Sequence, residues 1–599
     1  MNEELLRVTE QIVARSAQSR ASYLQQMANQ AKQGKSRNTL SCGNLAHTVA
    51  ACPTSEKGKV LDFTRSNLAI ISSYNDMLSA HAPYQHYPDQ IKRALADVGH
   101  TAQVAGCVPA MCDGITQGQP GMEMSLFSRD LIAQATAVSL SHNAYDGILL
   151  LGICDKIAPG MLMGALSFGH LPAAFIPAGP MSTEISNDQK VDIRQKYARG
   201  EVDKSALLDM ECSAYHGEGT CTFYGTANTN QLVFEAMGLM YPGSAFVAPN
   251  DELREVFTRE CARKIAAQAQ NGTISLASLM DEKAIVNGLV ALLASGGSTN
   301  HTMHLVAVAR AAGWIVSWDD IDALSKIVPL LVKMYPNGPA DINGFQRAGG
   351  VPCLLSLLAK RGLLYTDALS VYGTMADGIK QPLLDNGNLI YRSDSGSMDE
   401  AVIAAEGDAF SIHGGLQVMD GNLGRGVIKV SAVAADKREI SAPARVFNDQ
   451  NDVEAAYYRG EFTRDVIIVV RYNGPAANGM PELHKLMPIL SNLMKDGLSV
   501  ALVTDGRLSG ASGKVPAVIH VTPEAKRGGP LAYLQDGDAL QINANTGELN
   551  VLDDLSQREA KIDNECIHTG IGLGRELFKT FRDNVSSAEL GASVFYHNV

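Results

Sequence analysis

The residues best placed to do chemistry are Cys154, Asp155 and Lys156. They follow the apolar run 147–151, which predicts a buried strand, so a thiol, a carboxylate and an amine fall side by side where a strand ends. Strand ends are where α/β proteins build ligand sites. Burying such groups is costly unless something pairs them, and a metal would do so. Cys221 lies in a comparable turn, Gly217-Glu218-Gly219-Thr220-Cys221-Thr222, just ahead of Ala227-Asn228-Thr229-Asn230. Small residues there leave room for a bulky group. Iron–sulfur clusters are held by cysteine thiolates, and the two turns suggest one shared cluster rather than a disulfide. The competing reading is a pair of buried structural cysteines.

Other segments carry weaker signals. Asp113, in Met111-Cys112-Asp113-Gly114, could join Asp155 and Lys156 in a hard oxygen site for Mg²⁺ if Lys156 were carbamylated. The bland reading is a turn, with Lys156 paired to Asp155. The loop 505–514 follows the apolar run 501–504 and resembles a phosphate loop, but Leu508 stands where the Walker pattern needs glycine and Val515 follows Lys514. What remains is a Gly/Ser-rich loop whose N–H groups, with Arg507 and Lys514, could meet an anion. An ordinary surface turn is the alternative. Gly296-Gly297-Ser298-Thr299-Asn300-His301 opens a helical pattern, and a helix N-terminus suits a carboxylate or phosphate. Gly479-Met480-Pro481-Glu482 is weak alone, and His216, His301, His413 and His484 are too scattered to read as ligands.

Elements must bring these residues together. Between residues 67 and 180 the runs 68–71, 147–153, 160–166 and 173–176 alternate with helical patterning such as 84–97, which predicts βαβ units and a parallel sheet. Residues 3–32 read as an amphipathic helix, and 190–210, 250–312 and 320–375 as mainly helical. After about 380 the texture changes to short β-like runs at 415–419, 427–430, 466–470 and 500–503, separated by turns such as Asp420-Gly421-Asn422. The expected fold is α/β: an N-terminal domain, 1–380, with a parallel sheet and many helices, and a β-rich, barrel-like C-terminal domain, 381–599.

Composition narrows the function. The chain has 599 residues, 46% hydrophobic and 19% charged, as expected of a folded protein. A net charge of −13 argues against a nucleic-acid partner, though a local pair of cations could still bind a phosphorylated substrate. Apolar runs fall well short of the roughly 20 residues that span a bilayer, and the acidic N-terminus does not read as a signal peptide. The ten cysteines are sparse and irregularly spaced, as expected of reduced thiols in a cytoplasm.

Several long motifs occur in one order: CDKIAPGML (154–162), GTC with TANTN (219–230), SGGSTN (295–300), Arg347-Ala348-Gly349-Gly350, Gly479-Met480-Pro481-Glu482 and TDGRLSG (504–510). With them, nearly the whole chain from about residue 65 resembles the dihydroxyacid dehydratase/phosphogluconate dehydratase family. AGCVPAMCDGITQG (105–118) and SGASGKVPAVIH (509–520) look closest to its branch acting on a phosphorylated sugar acid. The resemblance implies a cytoplasmic hydro-lyase, a homodimer, with a [4Fe–4S] cluster (alternatively [2Fe–2S]) on Cys154 and Cys221. It puts Asp113, Asp155, a carbamylated Lys156 and Glu482 at Mg²⁺-holding positions, and Ser509 at the position of the catalytic base. The substrate carboxylate would chelate metal or meet the Ser298-Thr299 loop, and the further expectation, from the cations of the 505–514 loop, is that Arg507 and Lys514 help bind the phosphate. One departure stands out. Relatives place a third cluster cysteine in the segment matching 74–81, which here has none; Cys112 is the nearest substitute, then Cys107. Replacing Lys514 by Ala should raise KM for a phosphorylated sugar acid far more than it lowers kcat, and an unchanged KM in steady-state assays would remove Lys514 from the phosphate site.

Overall fold

The computed structural model describes residues 1–599 except 216, 394–395, 510–512, 561–569 and 597–599. His216, Cys566 and the Gly510–Ser512 part of the anion loop therefore lie outside the described residues.

The first sheet is parallel and four-stranded: Asn67–Ser72 (β1), Thr101–Cys107 (β2), Gly147–Leu151 (β3) and Ala173–Phe175 (β4), in the order β2-β1-β3-β4. Strands β1 and β3 are buried along their length, which is why they read as unbroken apolar runs. β2 lies at the edge and is half exposed. Its small and polar residues hide it from a search for apolar runs. The run 160–166 belongs to a helix, Ile157–Leu166, buried on every side, so it shows no amphipathic period. That helix lies almost backbone to backbone on Ser125–Leu140. A Cβ on Gly160 or Gly164 would stand 2.4 or 2.5 Å from the carbonyl oxygens of Arg129 and Ala133. The close contact fixes where the helix begins, immediately after Lys156.

After the hairpin Lys380–Asp385 (β5) and Asn388–Ser393 (β6) comes the second sheet: Leu416–Met419 (β7), Arg425–Lys429 (β8), Glu439–Phe447 (β9), Val466–Val470 (β10), Val500–Thr504 (β11), Ala517–Thr522 (β12), Ala539–Asn543 (β13) and Glu548–Val551 (β14). Its order is β14-β13-β9-β10-β11-β12-β8-β7, parallel from β9 to β12 and antiparallel elsewhere. A bridge between Asp420 and Glu548 draws the last strand toward the first, giving the barrel-like form. The period of two along β10 and β11 divides their side chains between two cores. Ile467, Val469, Ala501 and Val503 face the smaller core inside the barrel; Ile468, Val470, Val500 and Leu502 join the large core shared with the helices. The same strands thus hold the barrel together and seat it on the helical part.

The C-terminal residues return to helix Ser125–Leu140. Asp130 accepts hydrogen bonds from Ser593 Oγ (3.0 Å) and Val594 N (2.8 Å) and pairs with Arg129 (2.9 Å), whose guanidinium donates to the Ala592 carbonyl (2.6 Å). Both charges are buried. Asp130→Ala would leave a buried arginine unpaired and should lower stability by about 3–5 kcal/mol; a loss under about 1 kcal/mol in urea unfolding would show that this docking contributes little.

Candidate active site

Three carboxylates meet at the junction of the two sheets. Asp113 begins a short turn of helix after β2, Asp155 lies just past β3, and Glu482 follows the turn beyond β10. One ligand oxygen from each falls within 4.8 Å of the others. Two buried cations hold them. Lys156 pairs with Asp113 and, at 3.4 Å, with Asp155. Arg507 donates to Asp113 (2.9 Å) and Glu482 (3.2 Å) and, through Nε, to the Met480 carbonyl (2.8 Å). Ser125 also donates to Asp113, and Gln117 to Glu482 at 2.7 Å. Burial disfavours every one of these charges. At Asp113 the burial effect is outweighed by Lys156, Arg507 and Ser125, so its carboxyl is held well below the usual range. At Glu482 burial wins over Arg507, and the carboxyl is pushed up to about 7. Asp155 is also raised by burial.

Arg507 differs from the sequence expectation. It was placed with Lys514 toward an anion, but all three guanidinium nitrogens are engaged by Met480, Glu482 and Asp113. The parallel bridge Glu482–Arg507, just past the ends of β10 and β11, turns the side chain inward. Lys514 is exposed, its ammonium 5.4 Å from the ring centre of Tyr335.

The two cysteine turns are tied to one helix, Thr226–Ala236. Asn230 donates to the carbonyls of Cys154 and Asp155, each at 3.0 Å, and Asn228 to those of Cys221 (2.7 Å) and Phe223 (2.9 Å). His301 donates to the oxygen of Asn230 (2.9 Å), because both amide hydrogens are already used. Cys154 takes a positive φ of 73°, as do Met480 (57°) and His520 (61°) around the same centre. Such strain gathers where surrounding structure imposes a geometry. Cys112, Cys154 and Cys221 lie within electrostatic reach of one another. The segment 74–81 touches both turns, Ser79 through the Gly219 N–H (2.8 Å) and His81 through the Ile153 carbonyl (3.1 Å), but carries no thiol. Cys107 is exposed.

Both donor sets fit metal groups. The carboxylate spacing lets one hard divalent cation reach all three. Burial pushes the Cys221 thiol up to about 12, the Cys154 thiol further and Cys112 upward, with neighbouring thiols and carboxylates adding to it. Thiols so placed keep their protons until a positive ion replaces them.

Beside this centre is a small cleft lined by Thr299, Lys429, Leu508, Ser509 and Ile519, among others. Asn300 joins its walls, donating to the Leu508 carbonyl (3.2 Å) and Thr226 Oγ1 (3.2 Å). Ser298 is spent internally, its hydroxyl 2.8 Å from Thr226 Oγ1. Lys429 ends β8 and is pushed down to about 7 by burial. In sequence it reads only as part of the β-like run 427–430, where a cation between Ile428 and Val430 is the available signal.

The chain is similar to known proteins over nearly its whole length. Models of the dihydroxy-acid/6-phosphogluconate dehydratase N-terminal and C-terminal regions match residues 65–378 and 401–592. The chain is 54% identical over 600 residues to phosphogluconate dehydratase of Escherichia coli strain K12, and 53% identical over 600 residues to that of Pseudomonas aeruginosa, with 99% of each chain covered in both cases. It is 32% identical over 510 residues to dihydroxy-acid dehydratase of Ignicoccus hospitalis, covering 84% of this chain and 89% of the relative. Arg507→Met would leave Asp113 and Glu482 buried with one cation fewer. Metal-free protein should lose about 3–5 kcal/mol, partly restored by Mg²⁺; equal stability with and without chelator would sink the cation-site reading.

Proposed function

The chain belongs to the dihydroxy-acid/6-phosphogluconate dehydratase family, and from that premise we propose that it removes water from 6-phospho-D-gluconate to give 2-dehydro-3-deoxy-6-phospho-D-gluconate. The observation that supports the reading is the meeting of the three carboxylates at the Cys154–Asp155 turn, with Cys112 and Cys221 within electrostatic reach of Cys154. Cys154, Cys221 and Cys112 would hold an iron–sulfur cluster with one iron open to substrate; [4Fe–4S] is the type the family resemblance implies, with [2Fe–2S] the alternative. Asp113, Asp155 and Glu482 would hold Mg²⁺ together with Lys156 once carbamylation has replaced the ammonium that pairs with Asp113, the metal's charge then taking that ammonium's place. When bound, the metal groups supply Lewis acidity to the oxygen that leaves from C3.

Ser509 Oγ, as the alkoxide, takes the proton from C2. The C–H electron pair becomes the C2–C3 double bond, and the C3–O pair leaves with the hydroxyl, which departs as water after taking from Ser509 the proton removed from C2, restoring the alkoxide. The enol then moves its hydroxyl proton to solvent and gains one at C3, giving the 2-keto acid. Thr299 and its loop orient the substrate at the carboxylate end, and exposed Lys514 meets the phosphate. His301 is kept neutral by burial, its ring pushed down to about 3, so it orients Asn230 without adding charge.

The division near residue 380 is part of the same proposal. The first sheet lies wholly before it and the second wholly after. Reduced thiols favour a cytoplasmic setting, and the working unit is proposed as a homodimer. Among the described residues no helix is long and apolar enough to cross a membrane.

Anaerobically purified protein should contain iron, show a cluster by Mössbauer spectroscopy and form the 2-keto acid from 6-phosphogluconate. Ser509→Ala should keep the iron and lose about 10²–10⁴ in kcat. Cys112→Ser should lose iron. Full iron and an unchanged spectrum in that variant would exclude Cys112 as a ligand, and turnover at the normal rate in Ser509→Ala would exclude the base.

A further inference from the structure

Strand β12 is interrupted where it passes the active site. Ile519 pairs with Val427 of β8 and Thr522 with Arg425, so His520 and Val521 together stand opposite Gly426 alone. That is a bulge, and bulges beside active sites re-aim a side chain. Gly426 gives it room: a Cβ there would stand 2.8 Å from Val518 Cγ1 and 3.1 Å from the Ile519 carbonyl oxygen. His520 takes a left-handed backbone, φ 61°, and is wholly buried. Its N–H, freed from the ladder, donates to the Gly506 carbonyl (3.0 Å). Its ring nitrogen Nε2 lies 3.3 Å from Asn300 Oδ1. Asn300 spends its amide hydrogens on Thr226 Oγ1 and the Leu508 carbonyl, so its oxygen accepts and Nε2 carries the hydrogen. Nδ1 is buried with no partner among the described residues. Burial and the nearby Arg507 keep the ring neutral, pushed down to about 3. An imidazole with a buried, unpaired nitrogen is a costly way to fill space, so what the ring contributes is its bond to Asn300.

His520 thus holds Gly506 directly and Leu508 through Asn300, the residues on either side of Arg507. We propose that His520 is the positioning residue of this turn: by fixing both neighbours it keeps the Arg507 guanidinium on Asp113 and Glu482, and it sets the backbone from which Ser509 follows. Its effect on turnover rests on the dehydratase reading above. Arg507 leaves the end of one sheet and must meet Asp113 from the other while also bonding Glu482 and the Met480 carbonyl. Three bonds from one planar group tolerate little movement of the backbone that carries it. A supporting group displaced by about 1 Å can cost about 10²-fold in rate. The hold is made of neutral groups, an amide and an imidazole, so it adds no charge to a centre whose buried charges are already paired.

His520→Asn isolates the ring's bond, because asparagine suits a left-handed backbone and keeps the N–H on Gly506 but is too short to place a donor where Nε2 stands. In holoenzyme turning over 6-phosphogluconate it should lower kcat about 10- to 100-fold. KM and iron content should stay near normal, since no substrate contact is removed. His520→Gln, whose amide reaches toward the Nε2 position, should recover most of that loss. The double variant with Asn300→Ala should fall no further than Asn300→Ala alone, because the ring acts through that amide. Normal kcat in His520→Asn, no recovery in His520→Gln, or fully multiplicative losses in the double variant would each overturn the proposal. Should both His520 variants lose iron, Asn300→Ala leaves the histidine in place and should show the same fall in kcat; normal turnover there overturns it equally. Thermal unfolding of the same holoenzymes keeps the two readings apart. Wild-type protein that formed no 2-keto acid would sink the dehydratase reading, while the shifts in Tm would still show, by their non-additivity, that His520 and Asn300 hold the turn together; additive shifts would show that they do not.

Discussion

The centre depends on a balance of buried charge. Asp113, Asp155 and Glu482 could not share one small volume without Lys156 and Arg507 between them. Like charges at this separation raise one another's energy, and burial adds to it. The balance draws on both parts of the chain. Asp113, Asp155 and Lys156 come from the ends of the first sheet, Glu482 and Arg507 from the second. The first part alone would bury two carboxylates against one ammonium, and docking brings the Arg507 guanidinium onto Asp113. The shared core supports this, since β10 and β11 give one face to the barrel interior and the other to the helices.

The thiols are positioned by different means. Among the described residues no ion pair holds them. Helix Thr226–Ala236 uses two asparagine side chains, two residues apart and so on opposite sides of the helix, as clasps on the backbone of the two cysteine turns. Amides suit the task because they donate twice and accept at the same time without bringing charge near the thiols. The left-handed backbone at Cys154 shows that these contacts override local preference. The cost is of the order expected for strain at a functional site, about 1–3 kcal/mol.

The loop 296–301 forms part of the cleft wall, and its side chains are spent mostly on one another and on neighbours. Ser298 bonds Thr226, and Asn300 spans Thr226, Leu508 and His520. Such a network fixes the wall against which the substrate would lie. Thr299 is the member of the motif left to line the cleft. A motif read in sequence as one anion-binding unit is thus divided by the fold into a scaffold residue and a surface residue.

Much was legible beforehand. The buried strands 68–71, 147–151, 466–470 and 500–503 announced themselves because strands covered on both faces are unbroken apolar runs. The cysteine and aspartate turns stood out because glycine and ionisable groups follow those runs directly. Edge strand β2 and the all-buried helix Ile157–Leu166 were harder to read, since neither has a clean period. What sequence determined by itself was local: which residue types end which strands, and hence the chemistry on offer. Which of them meet was settled only by tertiary structure. Arg507 is one short step from Ser509 in the chain, yet it turns into the carboxylates while Ser509 lines the cleft. Lys429 reaches that cleft from a strand whose sequence shows nothing but a cation at its end. Electrostatic pairing depends on distance in space, and a chain of 599 residues records that only once it is folded.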